Sequence, residues 1–409
     1  MKTLLLTPTD ILFFRDGRPM EGSLAGHSFA WCPPHLISHA LHAALRRSGL
    51  ESHKHCAGVS SWRDYTGERN QVFGSLLTVG PFPVDLDGNW YFPAPGDLAC
   101  EEGRIKNAFQ PMHSVNPSSL PKPLTHFPAS LLKPSKDSSP GAWLRADAWG
   151  KYLRNEELSL EYFKTDADIG DFEANIGIGI DPETNAQDKL RIYSAQYLRL
   201  RSGWRLGVQV SADDKEHGDL IAKLFPMENH LIIGGQLRCC SVECLKQQPQ
   251  FPAEQEITTP YLRWTLLSPA VFPEIERDEE KGIRPHSGGW LPNWIDPENG
   301  KVLLKRNVKR YPAESRAAWR ARVRSGGTID AELIAAKTGN ALPVSGWDLE
   351  YGAKPTQLAV PAGSVYYFRC ADIENARQLC KALNYPNRRS TLWGEKGYGI
   401  GICSSFELK

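Results

Sequence analysis

Residues 391–409, "TLWGEKGYGIGICSSFELK", set glycine at 394, 397, 399 and 401 beside Trp393, Lys396 and Tyr398. Bare backbone N–H groups, a cation and an aromatic face are what a phosphate chain needs to be held. Arg388 and Arg389 lie just before this loop, and their guanidinium forks suit phosphate. At the other end, "TPTDILFFRDGRPM" (7–20) sets Arg15 and Arg18 on either side of the turn signal Asp16-Gly17. These arginines are either solvated turn residues or phosphate contacts. Histidines form a third group. His35, His39 and His42 share roughly one side of a helix, and His53, His55 and Cys56 follow as "HKHC". A metal site would need the two groups to converge, and nothing in the sequence enforces it. His27, with Tyr398 or Lys396, is the one set suited to metal-independent acid–base cleavage of RNA. The plainer reading, and the one preferred, is a hydrogen-bonded loop histidine.

The glycine loop fails as a cofactor site. A dinucleotide-binding loop opens a helix and is followed by an acidic residue about 20 positions on. Here "ICSSFELK" follows Gly401 and reads as a strand. Two readings remain open. Glycine at 397, 399 and 401 on an extended segment leaves one face free of side chains for RNA to lie on, with Tyr398, Ile400 and Ile402 on the other. Alternatively, the loop is a glycine-rich turn packed against a neighbouring helix.

The elements that must position these residues are legible from periodicity. Strands fall at about 3–6, 72–79, 89–92, 230–233, 261–267 and 364–369, with a second strand after the turn at Pro8 and a closing strand in "GYGIGICSS". Helices are expected at 34–48, 215–225, 313–324 and 372–383, the last with Asp372 as N-cap. The alternation suggests an α+β chain of two fused ferredoxin-like domains, 1–245 and 257–409, with long insertions. The seven prolines between 111 and 140 mark an irregular excursion of the kind that often clasps a partner. Asp166, Asp168 and Asp171 read as solvated loop.

Composition bounds the function. A hydrophobic content of 41% with 23% charged residues is that of a soluble globular chain, with no run long enough to span a membrane. The nine cysteines form no C-x-x-C pair; Cys239, Cys240 and Cys244 read as buried reduced thiols of a cytoplasmic protein. Net charge is +1, yet 301–327 holds nine Lys or Arg against Glu314 alone. Arg316, Arg320 and Arg324 line one face of the helix there, and an anionic neighbour is expected. That neighbour is guide RNA, target RNA or an acidic protein.

"GEKGYGIG" on a ferredoxin-like domain resembles the G-rich loop of the RAMP superfamily of CRISPR proteins. Together with "FFRDGRP", "GPFPVDLDGNWYFPAPGDL" (80–98), "IGIGIDPET" (176–184), "LRIYSAQYLRLRSGWRLGV" (190–208), "LIIGGQLR" (231–238), "LLSPAVF" (266–272) and "VPAGSVYYF" (360–368), it resembles the third-subunit family of Cmr (type III-B) effector complexes. The resemblance implies two RRM-like RAMP domains in a non-catalytic antiviral subunit that takes no cofactor. It implies that the subunit grips the 5′ tag of the CRISPR RNA, docks the large polymerase-like subunit and the first backbone subunit, and meets target RNA indirectly. Gly397, Tyr398, Gly399 and Gly401 fall on the matched G-rich loop, Arg15 and Arg18 on the opening motif, and 176–200 on a hairpin thumb that pins RNA. The alternative from a different class is a metal-independent RAMP endoribonuclease that processes repeat RNA.

Overall fold

A computed structural model describes residues 1–17, 25–26, 28–50, 75–101, 104–107, 109–113, 119–130, 140–180, 183–184, 186–214, 218–246, 248–249, 251–252, 255–280, 283–306, 314–348 and 352–408. Arg18, His27, His53, His55 and Cys56 lie outside the described residues.

The chain opens with strand β1 (Lys2–Pro8), whose "LLL" run is apolar throughout because both of its faces are covered. Leu4 and Leu6 face one core, and Leu5 faces another. The stretch after Pro8, expected as a second strand, makes only isolated bridges at Leu12 and Arg15. Helix α1 (Pro34–Arg47) starts on proline, where no intrahelical N–H is lost, and ends on Arg46 and Arg47, which complement the helix dipole. Its Ile37, Leu41, Ala44 and Leu45 fall at helical spacing and are buried on the sheet.

Strand β2 (Leu76–Val84) precedes a long insertion that includes the hairpin β3 (Gly170–Ile180) and β4 (Gln187–Leu200). Strand β5 (Arg205–Asp214), helix α2 (Leu220–Leu224), β6 (His230–Ile232) and β7 (Cys239–Leu245) follow. The first sheet runs β2–β5–β1–β7–β6 with every neighbouring pair antiparallel. The second half supplies β8 (Tyr261–Leu266), helix α3 (Arg316–Ser325), β9 (Ala331–Lys337), β10 (Val365–Cys370), helix α4 (Ile373–Leu383) and β11 (Gly401–Ser405). Its sheet runs β9–β10–β8–β11, again all antiparallel, with Trp264 opposite Tyr366 and Cys403. The second half therefore orders its strands second, third, first, fourth, whereas the first half shares second, third, first and then runs through its fifth strand to its fourth.

The halves differ in how the first crossover is filled. In the first, α1 packs on the sheet. In the second, the core beside α4 takes Phe272, Leu291, Ile295 and Val302 from an irregular stretch, and no described residue of α3 belongs to it. Asp372 caps α4 by accepting from the Asn375 N–H at 2.7 Å, as its sequence position suggests.

A third core joins the halves: Leu5 and Val79 of the first sheet, Trp149 and Tyr152 of the insertion, and Leu267, Ile400 and Ile402 of the second half. At its heart Arg263 and Asp97, both fully buried, pair at 3.2 Å. Tyr152 and Tyr367 each donate to Asp97 at 3.0 Å, and Arg263 donates to Ser404 and to the Tyr152 carbonyl. The polar stretch after β7 packs as well, with Phe251 stacked on Tyr385 at 4.4 Å.

Other expectations are corrected locally. Asp168 closes a capping box with Thr165, and Asp166 accepts from the Trp143 indole at 2.8 Å, so these acids order a turn instead of a solvated loop. Cys240 is buried, but Cys244 is exposed. Part of the proline-rich stretch forms a hairpin, Phe109–His113 with His126–Ser130, instead of an irregular excursion. No described helix is long and apolar enough to cross a membrane.

Candidate nucleic-acid interface

The two ends of the sequence meet. Gly17 donates to the Pro343 carbonyl at 2.8 Å, and its own carbonyl accepts from Thr356 Oγ1 at 2.5 Å. Phe29, just beyond the opening motif, packs on a small core of Val271, Val344, Ala359, Leu392 and Tyr398. Arg15 is exposed and bridges Ser28 through the backbone.

The glycine loop is not the extended shelf that alternation suggested. Gly394–Lys396 forms one turn of 3₁₀ helix, and Gly397 and Gly399 hold φ of 91° and 71°, a region that disfavours side chains. Only 401–405 of the closing strand forms. The bare faces are filled by the protein itself. A Cβ on Gly397 would crowd the Thr78 carbonyl and Pro34 at the start of α1; one on Gly399 would overlap the Ser390 backbone, and one on Gly401 the Trp264 indole. Tyr398 is fully buried, with its hydroxyl 2.7 Å from His35 Nδ1. The packed-turn reading thus describes the glycines: they let the loop close against β2 and α1.

What this closure presents is charge. Lys396 is half-buried, and its ammonium lies 3.1 Å from His39 Nε2, with no described carboxylate within ion-pair distance. Arg388 is half-buried too, has no ion pair among the described residues, and its Nε is buried without a partner. Burial lowers the pKa of both, while Glu395 acts on each in the opposite sense through space. Arg389 differs: its Nε donates to the Ala382 carbonyl at 2.6 Å, satisfying the end of α4.

His35 is buried and held at about 3, first by loss of water and then by Lys396 and Lys354. The helix face read as a possible metal trio thus turns His35 and His39 toward Tyr398 and Lys396, and the described residues contain no cluster of metal-ligand type. His35, His39 and Lys354 escaped the reading of candidate contacts. The i, i+4 spacing put the histidines on one face, but the groups facing them, Tyr398, Lys396 and Lys354, come from the far half of the chain.

On α3, Arg316 is exposed, while Arg322 pairs bidentately with Glu314 at 2.8 and 2.7 Å. Arg320 and Arg324 occupy the same helix. The hairpin β3–β4 leaves Phe172, Ile176, Ile178 and Ile180 exposed on one face, and Arg199 ties its base to Glu173 and Asp10.

The chain thus combines two antiparallel sheets, a long hairpin and a glycine loop that leads into the last strand of the second sheet. It belongs to the CRISPR-associated protein family Cas_Cmr3, whose sequence pattern matches residues 4–403. Among solved structures, a chain in the cryo-EM structure of the Type III-B Cmr-beta bound to cognate target RNA is similar, with 15% identity, 89% of this chain and 86% of that chain covered, and a TM-score of 0.43. A chain of the Csm3-Csm4 subcomplex in the type III-A CRISPR-Cas interference complex has 12% identity, 91% and 94% covered, and a TM-score of 0.36. A CRISPR associated protein Cas6 chain has 11% identity, 58% and 79% covered, and a TM-score of 0.24. No curated protein matches the chain.

Proposed function

We propose that this chain is a non-catalytic, guide-RNA-binding scaffold subunit of a Cmr-type effector complex, built of two ferredoxin-like units that meet at residues 246–256. It grips the 5′ tag of the CRISPR RNA near the closed glycine loop and docks the large polymerase-like subunit and the backbone subunit. The observation that carries this reading is the pair of half-buried cations, Lys396 and Arg388, neither of which has a carboxylate within ion-pair distance among the described residues. Buried charge is ordinarily paired, and a cation left unpaired beside a surface is complementary to an anion. Exposed Arg15 offers a second contact, and Arg316, Arg320 and Arg324 a third. The exposed isoleucines of β3 suit contact with unstacked bases.

The test is the salt dependence of binding to RNA bearing a repeat-derived 5′ tag. Lys396→Ala with Arg388→Ala is expected to weaken binding across salt concentrations and to flatten the log–log slope by about 2. Unchanged affinity and slope would sink the reading. The glycines are unsuitable probes, because their substitution attacks packing before it reaches RNA.

A further inference from the structure

The junction between α1 and the glycine loop gathers bases from three elements. His35, His39 and His42 come from α1, Lys396 from the loop, and Lys354 from the strand region that receives Gly17. The charges that bear on His39 are Lys396, His35, Lys354 and His42, and no carboxylate is among them. Glu395 faces Lys396 and Arg388 instead. His39 keeps an exposed edge, so it is reachable from solvent, unlike His35, whose ring is buried against Tyr398 and Trp393.

At 3.1 Å from an ammonium, His39 Nε2 accepts the Lys396 proton, which keeps the imidazole neutral with its own proton on Nδ1. A phosphate placed against Lys396 reverses that arrangement. The ammonium turns its donors to the phosphate oxygen, and the imidazole gains an anion beside it and takes a proton from solvent. The resulting imidazolium donates a second charge-assisted hydrogen bond.

We infer that His39 is a phosphate ligand of the guide-RNA site that binds as imidazolium, so that seating one phosphodiester against His39 and Lys396 takes up one proton. This rests on the RNA-binding reading above. Before RNA arrives, loss of water and the neighbouring Lys396 hold His39 well below the ordinary imidazole pKa; the phosphate raises it. Between those two values, affinity strengthens as pH falls, by at most about tenfold per pH unit for one proton.

The experiment measures the Kd of the full chain for single-stranded RNA with a repeat-derived 5′ tag, from about pH 8 to about pH 6 at fixed salt. Wild type is expected to tighten as pH falls. His39→Asn should lose the pH slope, binding no more tightly near pH 6 than near pH 8. His39→Arg, permanently charged, should bind more tightly near pH 8 with a flat profile. A slope that persists in His39→Asn, or that is missing from wild type while Lys396→Ala still weakens binding, overturns the role of His39 and leaves the RNA site standing. Binding indifferent to both Lys396→Ala and salt overturns the RNA reading and this inference together.

Discussion

Arg263 and Lys396 are both cations removed from water, and they show opposite solutions to that removal. Arg263 has no exposure, yet its donors end on Asp97, Ser404 and the Tyr152 carbonyl. Lys396 is less buried, and among the described residues its ammonium hydrogen-bonds a neutral imidazole and makes no ion pair. A fully satisfied charge fixes the relation of insertion to sheet, whereas an unsatisfied one raises the free energy of the isolated chain until an anion arrives. Depth of burial does not separate structural from functional charge here; partner count does.

The largest effect that sharpens this contrast is expected at the paired site. Asp97→Ala leaves Arg263 buried without its counter-charge and should cost about 3–5 kcal/mol in denaturant unfolding. A loss under 1 kcal/mol would show that water reaches Arg263. Next, Gly399→Ala drives a side chain into the Ser390 backbone at a φ of 71°, at roughly 2–4 kcal/mol. Gly88→Ala, also at positive φ but facing open space, should cost only about 1 kcal/mol. Equal losses at the two glycines would mean that the loop is not packed.

A pH effect follows. The unfolded chain protonates His35 near the ordinary imidazole value of 6.5, while the folded chain resists until about 3. Stability is therefore lost as pH falls below 6.5, by up to about 1.4 kcal/mol per pH unit. Thermal melts of His35→Gln should show a shallower acid slope than wild type. The smallest effect on stability belongs to the unpaired cation. Lys396→Ala should leave unfolding within about 0.5 kcal/mol, yet weaken RNA binding about tenfold. Marked destabilisation by that change would make Lys396 a structural residue and erase the contrast.

Much of the fold could be read from the chain. Periodicity located α1 and α4 to within a residue or two, because their apolar faces repeat at helical spacing and proline or Asp372 marks their starts. The glycine loop was half legible. Its alternation looked like a strand, but positive φ at Gly397 and Gly399 breaks that period, and only contacts with Thr78 and Ser390 reveal why glycine is required. The cluster of His39 with Lys396 was not legible at all, since the two are neighbours only through tertiary folding. The acids near 166 misled for a simpler reason: a polar run with a threonine three residues before Asp168 is a cap signal, not a solvent signal.

The shared core also sets an order of events during synthesis. Leu5 and Val79 are translated early, but Ile400 and Ile402, which complete the same apolar cluster, lie hundreds of residues later. Contacts of such sequence separation form slowly and only after both partners have left the ribosome. Until residue 402 emerges, the insertion covers the Leu5 face of the first sheet through Phe92, Trp149 and Tyr152, and a ribosome stalled before that point holds the shared core incomplete.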